Sequence, residues 1–169
     1  MKKIVFTAAF ILAALSTSAQ TIKTVRMIYP QWQGASISAW VPEVKNPDDA
    51  SRGYYLGAQL LDFLAPKNPQ QKTITVPISQ EVGDRTPAEG VIDRVVIAKQ
   101  TKTAVAMLDV EQPERIITLG GECSVSVVPF TWLAKKYEGD VAVLWIDAHP
   151  DITLPGDVYA GYHAMAVTA

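Results

Sequence analysis

Three residues at alternate positions, Asp147, His149 and Asp151, follow a continuous apolar run from Val141 to Ile146. In an extended segment, side chains at such spacing share one face. Two carboxylates and an imidazole on one face suit a borderline-hard divalent cation such as Mn²⁺. Two such ions sharing a carboxylate can hold a hydroxide at neutral pH and deliver it to a carbon, stabilising the charge that develops on the attacked group. The plainer alternative is a strand terminus whose aspartates cap the next turn. The intervening histidine favours metal, as does an upstream turn, Gly120-Gly121-Glu122-Cys123-Ser124. Cys123 is the only cysteine, which excludes an internal disulfide. The second of the two histidines, His163, lies close behind, so any imidazole chemistry belongs to the last stretch of the chain.

The elements that must position these residues alternate between strand and helix. Thr24 to Tyr29 (TVRMIY) reads as a first strand, followed by a long loop with Trp32, Gly34, Trp40, Pro42 and Pro47. Loops of that length are often functional or pack over another subunit. Asp48 or Asp49 could cap a helix to about Leu64, with Tyr55, Leu56, Leu60, Phe63 and Leu64 on its apolar side and Pro66 as its stop. Thr73 to Pro77 is a short strand. Thr86-Pro87-Ala88-Glu89 has the form of a capping box that opens a helix reaching Leu108. Arg115 to Leu119 is a strand ending at the Gly-Gly turn. A helix from about Ser126 to Tyr137 follows, with Pro129 tolerated in its first turn, and then the strand Val141 to Ile146. Continuously apolar late strands indicate a sheet covered on both faces, hence a three-layer α/β/α arrangement with a mostly parallel sheet. Ligands of such sheets bind beyond the carboxyl ends of the strands. If the last two strands are neighbours, Cys123 stands beside Asp147, His149 and Asp151.

Composition narrows the field further. The chain has 169 residues, 49% of them hydrophobic and 19% charged, which is enough apolar material for one sizeable core. A net charge of −2 with no cluster of basic residues excludes a nucleic-acid surface. Lys2 and Lys3, the apolar stretch Ile4 to Leu15 and the small residues Thr17-Ser18-Ala19 read as an export signal cut after Ala19. On that reading residues 1–19 are removed, residues 20–169 form the mature α/β domain, and the protein is periplasmic or secreted with no membrane segment left. A first buried strand or a short membrane-contacting helix, in a protein that stays in the cytoplasm, is the alternative.

GGECS and DAHPD, separated by a helix and a strand, resemble the first two motifs of the arginase–agmatinase family (ureohydrolases), whose usual forms are GG-[DE]-HS and DAHxD. The resemblance extends through Asp151-Ile152-Thr153-Leu154-Pro155 and to Gly161-Tyr162-His163-Ala164-Met165, which is similar to a later histidine segment of the family. It implies a binuclear Mn²⁺ site that hydrolyses a guanidino or amidino C–N bond and releases urea. It further implies that Asp147 bridges the ions, His149 binds one and Asp151 the other, while His163 handles protons near the substrate. An ordinary helix-start histidine is the other reading of His163. A small-molecule substrate and a homo-oligomer are part of the same expectation.

Three departures qualify it. Cys123 stands where the family has a ligand histidine, and a thiolate shifts preference toward Zn²⁺ or Fe²⁺. Alternatively Cys123 stays a neutral thiol beside a weakly bound ion, or is a small buried apolar residue in a turn. The family's third motif, with two further aspartates, is absent before the sequence ends at Val167-Thr168-Ala169, so an N-terminal portion of a longer protein, or a truncated gene, is expected. Thr153, Tyr159 and Gly161 replace the donors expected to grip the α-carboxylate of arginine, which leaves other guanidino or amidino compounds equally open. The competing readings are a non-catalytic member with a degraded metal site and a deacetylase-like binuclear hydrolase acting on an amide.

Overall fold

The computed structural model describes residues 22–37, 41, 43–44 and 46–169. The export segment, Trp40 and Pro42 lie outside the described residues. Strand β1 (Thr24–Tyr29), helix α1 (Pro47–Leu64), strand β2 (Lys72–Thr75), helix α2 (Arg94–Glu111), strand β3 (Arg115–Gly120) and helix α3 (Val127–Lys136) follow in chain order, with short 3-10 helices at Cys123–Ser126 and Tyr162–Met165. The strands form a parallel sheet in the order β2-β1-β3. Thr24 pairs with Arg115 and Val25 with Lys72, so the β-branched and apolar residues of β1 are flanked on both edges.

Alternation along β1 assigns the two layers. Val25, Met27 and Tyr29 point into the main core, with Ile74, Val76, Ala104, Leu108, Val128 and Trp132, and so meet α2 and α3. Arg26 points to the opposite face, where its Nε donates to Asp62 Oδ1 at 3.0 Å and its guanidinium also reaches the carbonyls of Asp62 and Pro66. Helix α1 therefore covers one face of the sheet, and α2 and α3 cover the other. This is the three-layer arrangement expected from the sequence.

Four local expectations change. Helix α1 runs as far as expected, but it turns Ser51, Ala58 and Asp62 to the sheet and leaves Leu56, Leu60, Phe63 and Leu64 between 51% and 78% exposed. The face turned to the sheet carries Asp62, which supplies the partner that the buried Arg26 guanidinium needs. The Thr86–Glu89 segment opens no helix. Glu89 and Gly90 both have positive φ (50° and 78°), and Ala88 bridges to Val91 around them. That is a tight reversal of the type that favours glycine at its second central position, and α2 begins only at Arg94. The second strand is shorter than expected, ending at Thr75. Residues 141–146 run on from α3 without joining the ladder, and Val143, Leu144 and Ile146 are 59%, 81% and 87% exposed. A buried central strand requires cover on both faces, and among the described residues nothing covers these three. Trp145 alone finds an aromatic neighbour, meeting Phe130 of α3 edge to face at 6.3 Å.

Candidate metal centre

The loops that leave the carboxyl ends of β1 and β3 cross each other. Gly121 N donates to Tyr29 O at 3.0 Å and Glu122 N to Gln31 O at 3.2 Å. A Cβ on Gly121 would lie 1.9 Å from Gln31 O, so only glycine permits this crossing. The crossing buries Glu122, which accepts from Gln31 Nε2 at 2.9 Å, from Ser124 Oγ at 2.8 Å and from Ser124 N at 2.8 Å. Burial pushes the Glu122 carboxyl above its usual range, and the bonds from Gln31 and Ser124 oppose the shift. Gln31 continues the network to Gln100 Nε2 at 2.9 Å, and Gln100 continues it to Gln33 and the Ser79 amide. No spacing in the sequence marks Gln31, Gln33 and Gln100 as a group, because they come from a loop and a distant helix.

This frame sets Cys123 at the start of its 3-10 helix, facing the DAHPD segment. Cys123 Sγ and a carboxylate oxygen from each of Asp147 and Asp151 lie within 4.8 Å of one another. The thiol is 3.8 Å from Asp147 Oδ2. Burial, together with the neighbouring carboxylates of Asp151 and Asp147, pushes the Cys123 thiol up to about 12. Asp151 is 4% exposed, and its buried Oδ2 has no hydrogen-bond partner among the described residues. A buried carboxylate oxygen left unsatisfied beside a thiol and a second carboxylate is costly in a closed fold. A cation relieves all three groups at once, so the donor set fits a divalent metal.

His149 stands apart from that cluster. Its side chain is 80% exposed, with Nδ1 3.7 Å from Asp147 Oδ1, while its backbone N donates to the same carboxylate oxygen at 2.9 Å. The single face expected for Asp147, His149 and Asp151 presupposes extended backbone. The chain instead bends over residues 147–149, and Asp151 has φ 48°. The two aspartates converge and the imidazole between them turns outward.

His163 lies in the second 3-10 helix, with its backbone N donating to Gly34 O at 3.1 Å and its Nε2 2.6 Å from the Tyr159 hydroxyl. Burial lowers the His163 pKa below the ordinary imidazole value, and Asp151 pulls in the opposite direction. Its segment is tied to the site directly: Val167 N donates to Asp151 O at 3.0 Å, and Thr153 N to Ala164 O at 2.9 Å. Tyr54 of α1 is a further neighbour, its hydroxyl pKa raised by burial and by the charges of Cys123, Glu122 and Asp151. No motif points to Tyr54, whose place follows from how α1 lies on the sheet. Among the described residues no helix is long and apolar enough to cross a membrane.

No curated protein matches the chain. The sequence model of the Arginase family matches residues 64–169, which is more than half of the chain and takes in the Gly-Gly turn, the paired aspartates and the His163 segment. With an open parallel sheet and acidic residues gathered beyond its carboxyl edge, this match establishes that the chain belongs to the arginase family.

Proposed function

We propose that the protein is a metal-dependent hydrolase of a guanidino or amidino C–N bond, with Cys123, Asp147 and Asp151 as metal donors, His149 as a further donor from the same turn, and His163 as the group that handles protons. The observation that carries this reading is the convergence of three donors within 4.8 Å around the unpartnered, buried Asp151 Oδ2. A divalent ion bound there would supply Lewis-acid chemistry, lowering the pKa of water at neutral pH. The chain's own part is to hold the donors rigid. Gly121 permits the loop crossing, Glu122 locks it, and Asp147 is oriented by the His149 backbone amide. Two carboxylates suit Mn²⁺, while the thiol favours Zn²⁺ or Fe²⁺.

A small-molecule guanidino or amidino substrate, a homo-oligomer, and export of residues 20–169 after cleavage at Ala19 belong to the same proposal. N-terminal sequencing of secreted material tests export, with an intact Met1 counting against it.

A second reading is favoured by the outward turn of His149: an arginase-fold protein whose metal site has decayed. Metal analysis after loading and gel filtration separates the two. Retained Mn²⁺ or Zn²⁺, with urea released from a guanidino substrate, supports the hydrolase. A chain that keeps neither ion would falsify it. If Cys123 occupies a ligand position, Cys123→His should strengthen Mn²⁺ binding; unchanged affinity removes that assignment.

A further inference from the structure

Tyr159 folds back over its own chain to reach His163. The phenol oxygen lies 2.6 Å from His163 Nε2, and the two rings meet edge to face with centroids 5.4 Å apart. The same oxygen accepts the Ser36 backbone N–H at 3.1 Å, and the His163 backbone N–H donates to Gly34 O at 3.1 Å. Both ends of the 159–163 stretch are thus pinned to one short loop. Gly161 lies between them. A Cβ there would sit 2.5 Å from Tyr159 Cε1 and 2.7 Å from its hydroxyl oxygen, so a larger residue would push the phenol out of place.

Either group could donate across this contact, and the proton count favours one direction. A phenol oxygen has one proton to donate and lone pairs to accept with. The Ser36 amide can only donate, so it takes a lone pair and leaves the phenol proton free. Among the described residues, His163 Nε2 is the hydrogen-bond partner that can accept that proton; the reverse arrangement, with Nε2–H donating, would leave the phenol proton without this acceptor. An imidazole nitrogen that accepts carries no proton, so the ring proton of a neutral His163 resides on Nδ1. Burial disfavours the imidazolium and so favours the neutral ring.

We propose that Tyr159 is a positioning residue for His163: by donating to Nε2 it fixes the orientation of the ring and selects the Nδ1–H tautomer, with Gly161 leaving room for the phenol. The bearing of this clamp on catalysis rests on His163 being the proton-handling group. The tautomer itself does not.

The test is ¹⁵N NMR of the imidazoles at pH 8 in the metal-free chain, with His163 assigned from H149Q, which leaves one histidine. The expected native pattern is a protonated Nδ1 and an unprotonated, hydrogen-bonded Nε2. Tyr159→Phe keeps the ring packing and removes the donor, and should move the proton largely to Nε2. Gly161→Ala should do the same with the phenol still present. A native Nε2–H tautomer, or a Tyr159→Phe chain that keeps the native pattern, overturns the proposal. A Gly161→Ala chain with the native pattern overturns the role given to Gly161. In the metal-loaded protein, Tyr159→Phe should lower kcat by about 10- to 100-fold with KM little changed. A shifted tautomer with unchanged kcat would overturn the catalytic clause and leave the clamp standing. Because the NMR arm needs neither metal nor turnover, its outcome is independent of whether the chain hydrolyses a guanidino group.

Discussion

At the scale of single residues, Cys123 carries the sharpest expectation. Its thiol is half-buried and faces Asp147 and Asp151, and both influences disfavour the thiolate. The thiolate is the reactive species in alkylation. Iodoacetamide should therefore modify Cys123 slowly at pH 8, and the rate should keep climbing through pH 10, where an ordinary thiol has levelled off. The sign follows from the raised pKa: any stability the neutral thiol contributes is present below the thiol's unfolded value and is lost as pH rises toward about 12. Asp151→Asn removes a nearby negative charge and should speed the reaction. A Cys123 that plateaus near pH 9, indifferent to Asp151→Asn, would show that the carboxylates do not govern it. Much of this site is legible in the sequence. The parallel-sheet rule places Cys123, which follows β3 at its carboxyl end, whereas Asp147 and Asp151 reach it although the apolar run before them forms no strand of the sheet. The outward turn of His149 is not legible. It depends on a bend over residues 147–149 and on the left-handed backbone of Asp151, which residue spacing does not encode.

At the scale of elements, the Arg26–Asp62 pair ties α1 to the sheet. Arg26 is 6% exposed at its side chain and Asp62 29%, with nitrogen and oxygen 2.9 Å apart. Removing one partner leaves a buried guanidinium short of an acceptor, whereas the intact pair contributes only modestly. Asp62→Ala should cost about 1.5–3 kcal/mol in urea unfolding, and the double variant Arg26→Met with Asp62→Ala should recover part of it. An Asp62→Ala chain as stable as the parent would mean that α1 is held by other contacts. The same pair explains why periodicity placed α1 correctly and oriented it wrongly. Leu56, Leu60, Phe63 and Leu64 form a regular stripe, yet the face that meets the sheet is the one that brings Asp62 to Arg26. The Thr86–Glu89 segment misled for a related reason. Threonine, proline and glutamate serve a helix start and a tight turn alike, and the left-handed Glu89-Gly90 pair selects the turn. Strands β1 and β3, by contrast, were legible to within a residue, because short β-branched runs bounded by loops leave little choice of boundary.

At the scale of the whole molecule, two features act together: apolar surface left uncovered and the proposed metal site, whose donors come from distant parts of the chain. Val143, Leu144 and Ile146 are exposed, and among the described residues β3 pairs with β1 alone. Uncovered apolar surface beside an open edge favours association between copies. The chain should elute from gel filtration at a size that rises with concentration, and Leu144→Lys with Ile146→Lys should reduce that rise; a monomer at every concentration would contradict it. If the proposed site binds an ion, that ion acts in the other direction, on the fold itself. Cys123 follows β3, while Asp147 and Asp151 lie beyond α3 in a segment with no ladder bonds to the sheet. An ion held by all three fastens that segment to the sheet's carboxyl edge and binds only when the chain is folded. Ligand that binds the native state alone stabilises it by about 2.7 kcal/mol at 100 times Kd. For a chain of this size that corresponds to a rise in Tm of roughly 5–10 °C. Saturating Mn²⁺ or Zn²⁺ should produce such a shift in a thermal melt, a chelator should reverse it, and Asp151→Asn should abolish it. Relief of the buried, unpartnered Oδ2 makes the Asp151→Asn chain more stable than the parent without metal and less stable with it, since an amide hydrogen is a poorer occupant of that space than an ion but a better one than none. A purely structural Asp151 would not produce that crossing of the melting curves, because both chains would be insensitive to the ion.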